Sequence, residues 1–186
     1  MKYFHKLVGE NVFLSPLNSE DKEKFTEWIN DLEASLYLGA AERVVSLQGE
    51  KEALEEMQEG YNFAVVEKSL DELMGSCGFT DVNNIHGTAE LGIFIGNKNY
   101  WDRGYGTEAC RLLLDFGFNI LNLNNIMLSV YEYNDRALKC YEKLGFNEIG
   151  RRRNARQVGG QRYDEIYMDM LAEEFEGSIL DRVELD

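Results

Sequence analysis

Residues Asn99–Phe116 read NYWDRGYGTEACRLLLDF. Gly104 and Gly106 stand directly before a run in which Ala109, Leu112, Leu113, Phe116 and Ile120 recur at helical steps, predicting a helix over Thr107–Leu121. Just upstream, Ala89–Ile95 (AELGIFI) reads as a strand. Glycines in that place let the backbone come close to a ligand, because no Cβ intervenes. Successive N–H groups then converge on one point, and the helix adds its unpaired first-turn donors and the positive end of its dipole. A pyrophosphate suits such a loop without any basic sequence requirement. Lys98 and Arg103 are the cations at hand to assist.

Two other phosphate loops fit less well. Gly104-Tyr105-Gly106 with Ala109 comes close to G-x-G-x-x-G/A, but that fingerprint needs its glycines directly after a strand and an acidic residue about 20 positions on. Here Gly96–Arg103 intervene, and Asn124 and Asn125 occupy the later region. A P-loop is excluded, because no Gly-Lys-Ser/Thr occurs.

Around this stretch lies a chain of 186 residues, 44% apolar, with ten Phe, ten Tyr and two Trp, enough for one ordered domain with a sizeable core. The start, MKYFHKLVGENVFL, lacks the apolar core of a signal peptide, and no run reaches the roughly 18 apolar residues of a membrane span. A soluble cytoplasmic protein with no membrane partner is expected. Cys77, Cys110 and Cys140 have neither metal spacing nor a disulfide pattern, so reduced thiols and no metal site are expected. A formal charge of −15 repels phosphodiester backbones, which disfavours nucleic acid and favours cationic ligands.

Val12–Leu14 reads as a short strand, and Asn18 or Ser19 as the cap of a helix with Phe25, Trp28, Ile29 and Leu32 on one face. Lys51–Gln58 predicts a weak second helix. YNFAVVE and ELMGSCGFTDV are strands, the latter with a bulge at Gly75 or Gly78. NIMLSV is a strand, Asp135–Leu144 a helix closed by Gly145, and a hairpin turns about VGGQ. From about residue 172 the tail is acidic.

The succession AELGIFI, NYWDRGYGTEA, long helix, IMLSV and NDRALKCYEKLGF resembles the GNAT acetyltransferase superfamily. Within it the order and spacing are most similar to the branch holding the ribosomal-protein (Rim-type) N-acetyltransferases and spermidine acetyltransferase. EWINDLEASLYL and GGQRYDEIYMDML resemble that branch too, so the likeness spans most of the chain. One position departs: the first loop residue, often Gln or Arg in the superfamily, is Trp101. The resemblance implies an α/β (α+β) GNAT fold over residues 1–186 as a single N-acetyltransferase domain. Its sheet would be mixed, mostly antiparallel and twisted, with a splayed central strand pair flanked by helices.

The resemblance also implies acetyl-CoA as co-substrate, with its pyrophosphate clasped by Trp101, Asp102, Arg103, Gly104, Tyr105, Gly106 and Thr107. Phe94, Ile95 and Gly96 would hydrogen-bond the pantetheine arm as an added strand would. A backbone N–H near Phe94 or Ile95 would serve as oxyanion donor. Tyr141 matches the family's tyrosine whose hydroxyl faces the CoA sulfur, and a phenol stays protonated at neutral pH, ready to donate to a departing thiolate. On residue type alone it reads first as a core tyrosine, and the match of NDRALKCYEKLGF around it reverses that order. Asn134 caps its helix, binds the CoA arm, or both. Glu90 is the candidate base, directly or through water, or else a solvated strand-end carboxylate.

Arg151, Arg152, Arg153 and Arg156 form the only basic cluster, readable as a contact for the CoA 3′-phosphate, a pairing surface in a homo-oligomer, or a solvated strand face. Alternate residues of a hairpin face water, which favours the last. The reading is direct acetyl transfer, without a covalent intermediate, to a primary amine: a protein N-terminus or a polyamine-like small molecule. A non-catalytic acyl-CoA sensor is the alternative.

Overall fold

A computed structural model describes residues 2–178. The strands are β1 (Leu7–Val8), β2 (Val12–Pro16), β3 (Tyr61–Glu67), β4 (Glu72–Asn83), β5 (Thr88–Ile95), β6 (Asn125–Tyr131), β7 (Asn147–Val158) and β8 (Gln161–Leu171). The helices are α1 (Lys22–Asn30), α2 (Leu32–Leu38), α3 (Leu47–Met57), α4 (Tyr105–Asn119) and α5 (Asp135–Leu144). Hydrogen-bonded neighbours run β1-β2-β3-β4-β5-β6-β8-β7. β5 and β6 are parallel, whereas β1–β2, β2–β3, β3–β4, β6–β8 and β7–β8 are antiparallel. This is the mixed, mostly antiparallel sheet that the sequence predicts.

The parallel ladder is short. It holds only Thr88↔Asn125, Ala89↔Ile126 and Glu90↔Met127, although β5 continues to Ile95 and β6 to Tyr131. The chain divides into two compact units, one formed by the residues up to Phe79 with Gly92–Cys110, the other by Thr80–Leu91 with Arg111 onward.

In the first unit Tyr3, Phe13, Leu17, Phe25, Leu54, Ala64, Val66 and Leu73 form the buried core. The Phe, Leu and Val side chains among them each contribute roughly 1.5–3 kcal/mol by leaving water. Asn18 accepts a hydrogen bond from the Glu20 N–H and opens a 3-10 turn, Ser19–Asp21, that runs into α1. Leu32 does not join the apolar face of α1. Asp31 breaks the helix in extended conformation and caps α2 by accepting from the Ala34 N–H, which leaves Leu32 69% exposed. Ser46 caps α3 through the Gly49 N–H and starts it four residues before the predicted Lys51. The predicted bulge lies beside Gly75, where Val65 pairs with Gly75 but Val66 with Leu73.

In the second unit β6 buries Ile126, Leu128 and Val130 in strict alternation, and β8 buries Ile166, Met168 and Met170. The hairpin turns where predicted, with Gly159 and Gly160 at φ +56° and +82°, the two positive values that a type I′ turn needs. α4 begins two residues earlier than predicted, between the glycines, and ends before Ile120, which is 40% exposed. Ala172–Glu174 is a 3-10 turn opening the acidic tail; residues 179–186 lie outside those described. Among the described residues no helix is long and apolar enough to cross a membrane.

Candidate functional site

The glycine loop belongs to the first unit, and a network rooted in Glu72 holds it. The Glu72 carboxylate accepts from the Tyr100 hydroxyl at 2.7 Å and from Asn97 Nδ2 at 3.2 Å. Burial and this carboxylate both push the Tyr100 phenol well above its ordinary range. Asn97 caps a 3-10 turn, Lys98–Tyr100, and its own N–H reaches the Met74 carbonyl at 3.0 Å. The approach to the loop is therefore anchored to β4 by backbone and side chains alike.

Beyond that anchor the chain takes left-handed conformations at Asp102 (φ +56°) and Gly104 (φ +84°). The ladder of α4 begins at Glu108 N–H to Gly104 C=O, 3.0 Å, so the amides of Tyr105 and Gly106 have no acceptor within their own helix. A Cβ at Gly106 would meet Ile95 and Ile93 only at ordinary contact distance, and one at Gly104 would meet nothing. First-turn amides without an intrahelical acceptor suit an anion. Arg103 sits beside them with its guanidinium 5.5 Å from the Tyr105 ring and 5.9 Å from that of Tyr100, and donates to the Asn99 carbonyl at 3.2 Å.

Two side chains of this loop have partners of their own. Lys98 does not stand over it: the ammonium is held by Asp31 at 2.7 Å and Glu33 at 3.1 Å, bonds that hold it above the usual lysine range. Trp101 turns back onto the strand, its indole N–H donating to the Ile95 carbonyl at 2.7 Å and its ring edge-on to Tyr37 at 5.9 Å. The Trp28 ring covers one side of Gly96, where a Cβ would come within 2.4 Å of it. Phe94, Ile95 and Gly96 are thus brought together with Trp101–Thr107, and Trp28 and Glu72 join a site in which sequence reading did not place them. Trp28 reads as one more apolar residue of α1; Glu72 reads as a strand-end charge.

The second unit carries the other candidates. Glu90 stands opposite Met127 in the parallel ladder, and the Ser129 hydroxyl lies 3.5 Å from its Oε1. Asn134 is buried and caps α5, its side chain accepting from the Ala137 N–H at 3.2 Å. Tyr141 is 7% exposed, with its ring edge-on to Phe146 at 5.9 Å. Gly145 closes the helix at φ +102°, donating to the carbonyls of Tyr141 and Glu142. Asn134→Ala is expected to lower stability by about 1 kcal/mol, whereas Asn134→Asp keeps the cap and most of that stability. Urea midpoints at constant slope check this.

The basic cluster divides. Arg151 pairs bidentately with Glu148 at 2.7 and 2.8 Å, Arg152 lies 3.9 Å from Glu165, and Arg151, Arg152 and Arg153 are exposed, a solvated strand face. Arg156 departs from it. Arg153, Asn154 and Ala155 bulge opposite Asp164 alone, with Asn154 left-handed and its N–H bonded to the Asp164 carboxylate at 2.9 Å. That bulge turns Arg156 inward, 5.4 Å from the Tyr131 ring.

Comparison with known proteins adds a direct match. The family described as acetyltransferase (GNAT) domain matches residues 11–147. Spermidine N(1)-acetyltransferase of Escherichia coli (strain K12) is 29% identical over 90% of this chain and 78% of its own. The uncharacterized N-acetyltransferase p20 of Bacillus licheniformis is 27% identical over 92% and 98%. Among solved structures, spermidine N-acetyltransferase from Vibrio cholerae in complex with CoA and spermine is similar with a TM-score of 0.80 and 25% identity, over 89% of this chain and 98% of that one.

Proposed function

The chain belongs to the GNAT acetyltransferase family, and from that premise we propose that residues 1–186 act as one domain transferring acetyl from acetyl-CoA directly to a primary amine. That it is an N-acetyltransferase follows from the family and its relatives; the donor, the residues and the acceptor are the proposal. The observation that carries it is the loop before α4, where two left-handed residues, Asp102 and Gly104, leave the first-turn amides of Tyr105 and Gly106 directed away from any intrahelical carbonyl. These amides, with Arg103 and Thr107 beside them, hold the diphosphate of the donor. The Phe94–Gly96 backbone takes the pantetheine arm as a further strand, with Trp101 bracing the Ile95 carbonyl and Asn134 assisting.

In the reaction the neutral amine nitrogen attacks the thioester carbonyl carbon. The C–N bond forms as the C–S bond breaks, and a backbone N–H near Phe94 or Ile95 stabilises the oxygen. Glu90, directly or through water, receives the proton that the amine loses. Tyr141 gives its proton to the departing thiolate. Holding both reactants in one orientation supplies much of the acceleration.

The acceptor is a polyamine-like cation in this reading, ahead of a protein N-terminus. The formal charge of −15 attracts polycations to the surface, and the Escherichia coli and Vibrio cholerae relatives are spermidine acetyltransferases by name. An acceptor screen with mass detection tests it. Spermidine or spermine is expected to gain 42 Da, one acetyl for one hydrogen (about 42 by composition), with one CoA thiol released per acetyl. Thiol release with peptides alone overturns the polyamine choice. Saturating acetyl-CoA is expected to raise the melting temperature, since a ligand at about 100 times its Kd adds about 2.7 kcal/mol. No shift in a calorimetric scan overturns the donor assignment.

A further inference from the structure

Glu108, in the first turn of α4, reads in the sequence as an ordinary acid at a helix N-terminus, favourable to the dipole by a few tenths of a kcal/mol. Its carboxylate does something else. Oε1 accepts from the Asn11 N–H at 2.8 Å and the Val12 N–H at 3.2 Å, and Oε2 from Asn11 Nδ2 at 3.2 Å. These donors lie about 97 residues earlier in the chain, in the turn between β1 and β2 and at the first residue of β2. The negative charge is thus met by amides from outside the helix, not by donors of the same turn that would otherwise face an anionic ligand.

The turn is anchored independently of Glu108. Gly9 N–H donates to the Val12 carbonyl at 2.8 Å, Lys68 N–H to the Asn11 carbonyl at 2.9 Å, and Lys68 Nζ to the Gly9 carbonyl at 3.0 Å. Gly9 is needed for close approach: a Cβ there would stand 2.2 Å from Glu108 Oε1. The most obstructed atom is the end of a flexible side chain, so a methyl at Gly9 would displace the carboxylate first, and the Val12 carbonyl, 3.0 Å from that Cβ, would give by a few tenths of an ångström (about 0.2–0.4 Å).

We infer that Glu108 is a positioning residue, a latch between the β1–β2 turn and the first turn of α4 that sets the direction of the Tyr105 and Gly106 amides. Glu108 N–H closes that turn onto Gly104 C=O, so the side chain and the loop amides belong to one rigid unit. Holding the carboxylate fixes the rotation of the turn about its axis. The inference rests on the proposal that these amides hold the diphosphate of CoA.

Gly9→Ala and Glu108→Gln attack the latch from its two sides. CoA is titrated calorimetrically into each variant and the natural chain, and phosphorus NMR follows the diphosphate and 3′-phosphate signals at saturation. In the natural chain the diphosphate signals are expected to shift on binding. In both variants Kd is expected to rise about 10-fold, about 1.4 kcal/mol. The diphosphate signals should move back toward their free positions while the 3′-phosphate signal stays as in the natural chain. Reversible unfolding would raise the apparent Kd through the folded fraction, so a thermal melt of each variant establishes that it is folded at the titration temperature, and the change confined to the diphosphate signals separates lost positioning from lost stability. Diphosphate signals that do not respond in the natural chain overturn the diphosphate reading itself. A response there, with either variant binding CoA as tightly and with the same signals, overturns the role of Glu108 alone.

Discussion

A Tyr141→Phe enzyme is expected to turn over at least about 100-fold more slowly than the natural one, the lower end of what a positioned general acid contributes. Its Kd for CoA should stay within a factor of about two, because the variant removes a proton donor and leaves the ring. The aromatic ring is nearly all buried and meets Phe146 edge-on, contacts that phenylalanine retains. A tyrosine that only filled the core would show the opposite pattern: stability altered and turnover unchanged. Single-turnover rates with saturating acetyl-CoA and polyamine separate the two, and an unchanged rate removes Tyr141 from the mechanism.

Gly104→Val is expected to weaken CoA binding by about 10- to 100-fold, from roughly 1–3 kcal/mol of backbone strain. The strain is conformational and not steric. No atom lies within 4 Å of the site a Cβ would take, but the residue stands at φ +84°, where a β-branched side chain does not settle. The loop would relieve the strain by rotating the peptide that presents the amides. Gly104→Asn, which tolerates the left-handed region, should lose only a few-fold. Calorimetric titration of both variants decides: Val and Asn binding CoA equally well would mean that this conformation does not hold the diphosphate.

The elements read most accurately from sequence are those whose ends are settled by local chemistry. α5 has the predicted bounds, Asp135 to Leu144, since Asn134 caps one end and Gly145 takes the left-handed residue at the other. The hairpin at Gly159–Gly160 is equally local. Errors arose where a residue had two partners to choose from. Asp31 reads as one more polar residue of a helix, yet it ends α1, caps α2 and pairs with Lys98. Lys98 reads as a phosphate ligand only until α2 is folded beside it.

Order along the chain was sufficient for the resemblance to the GNAT family and for the glycine loop at the head of α4. Spacing, caps and positive-φ glycines act over a few residues, and their preferences survive in any tertiary setting. Only the folded chain decided that Trp101 braces the Ile95 carbonyl, that a three-residue bulge turns Arg156 onto Tyr131, and that Glu108 reaches Asn11 and Val12. The Arg156–Tyr131 and Glu108–Asn11 contacts join residues far apart in the chain, so no local preference encodes them.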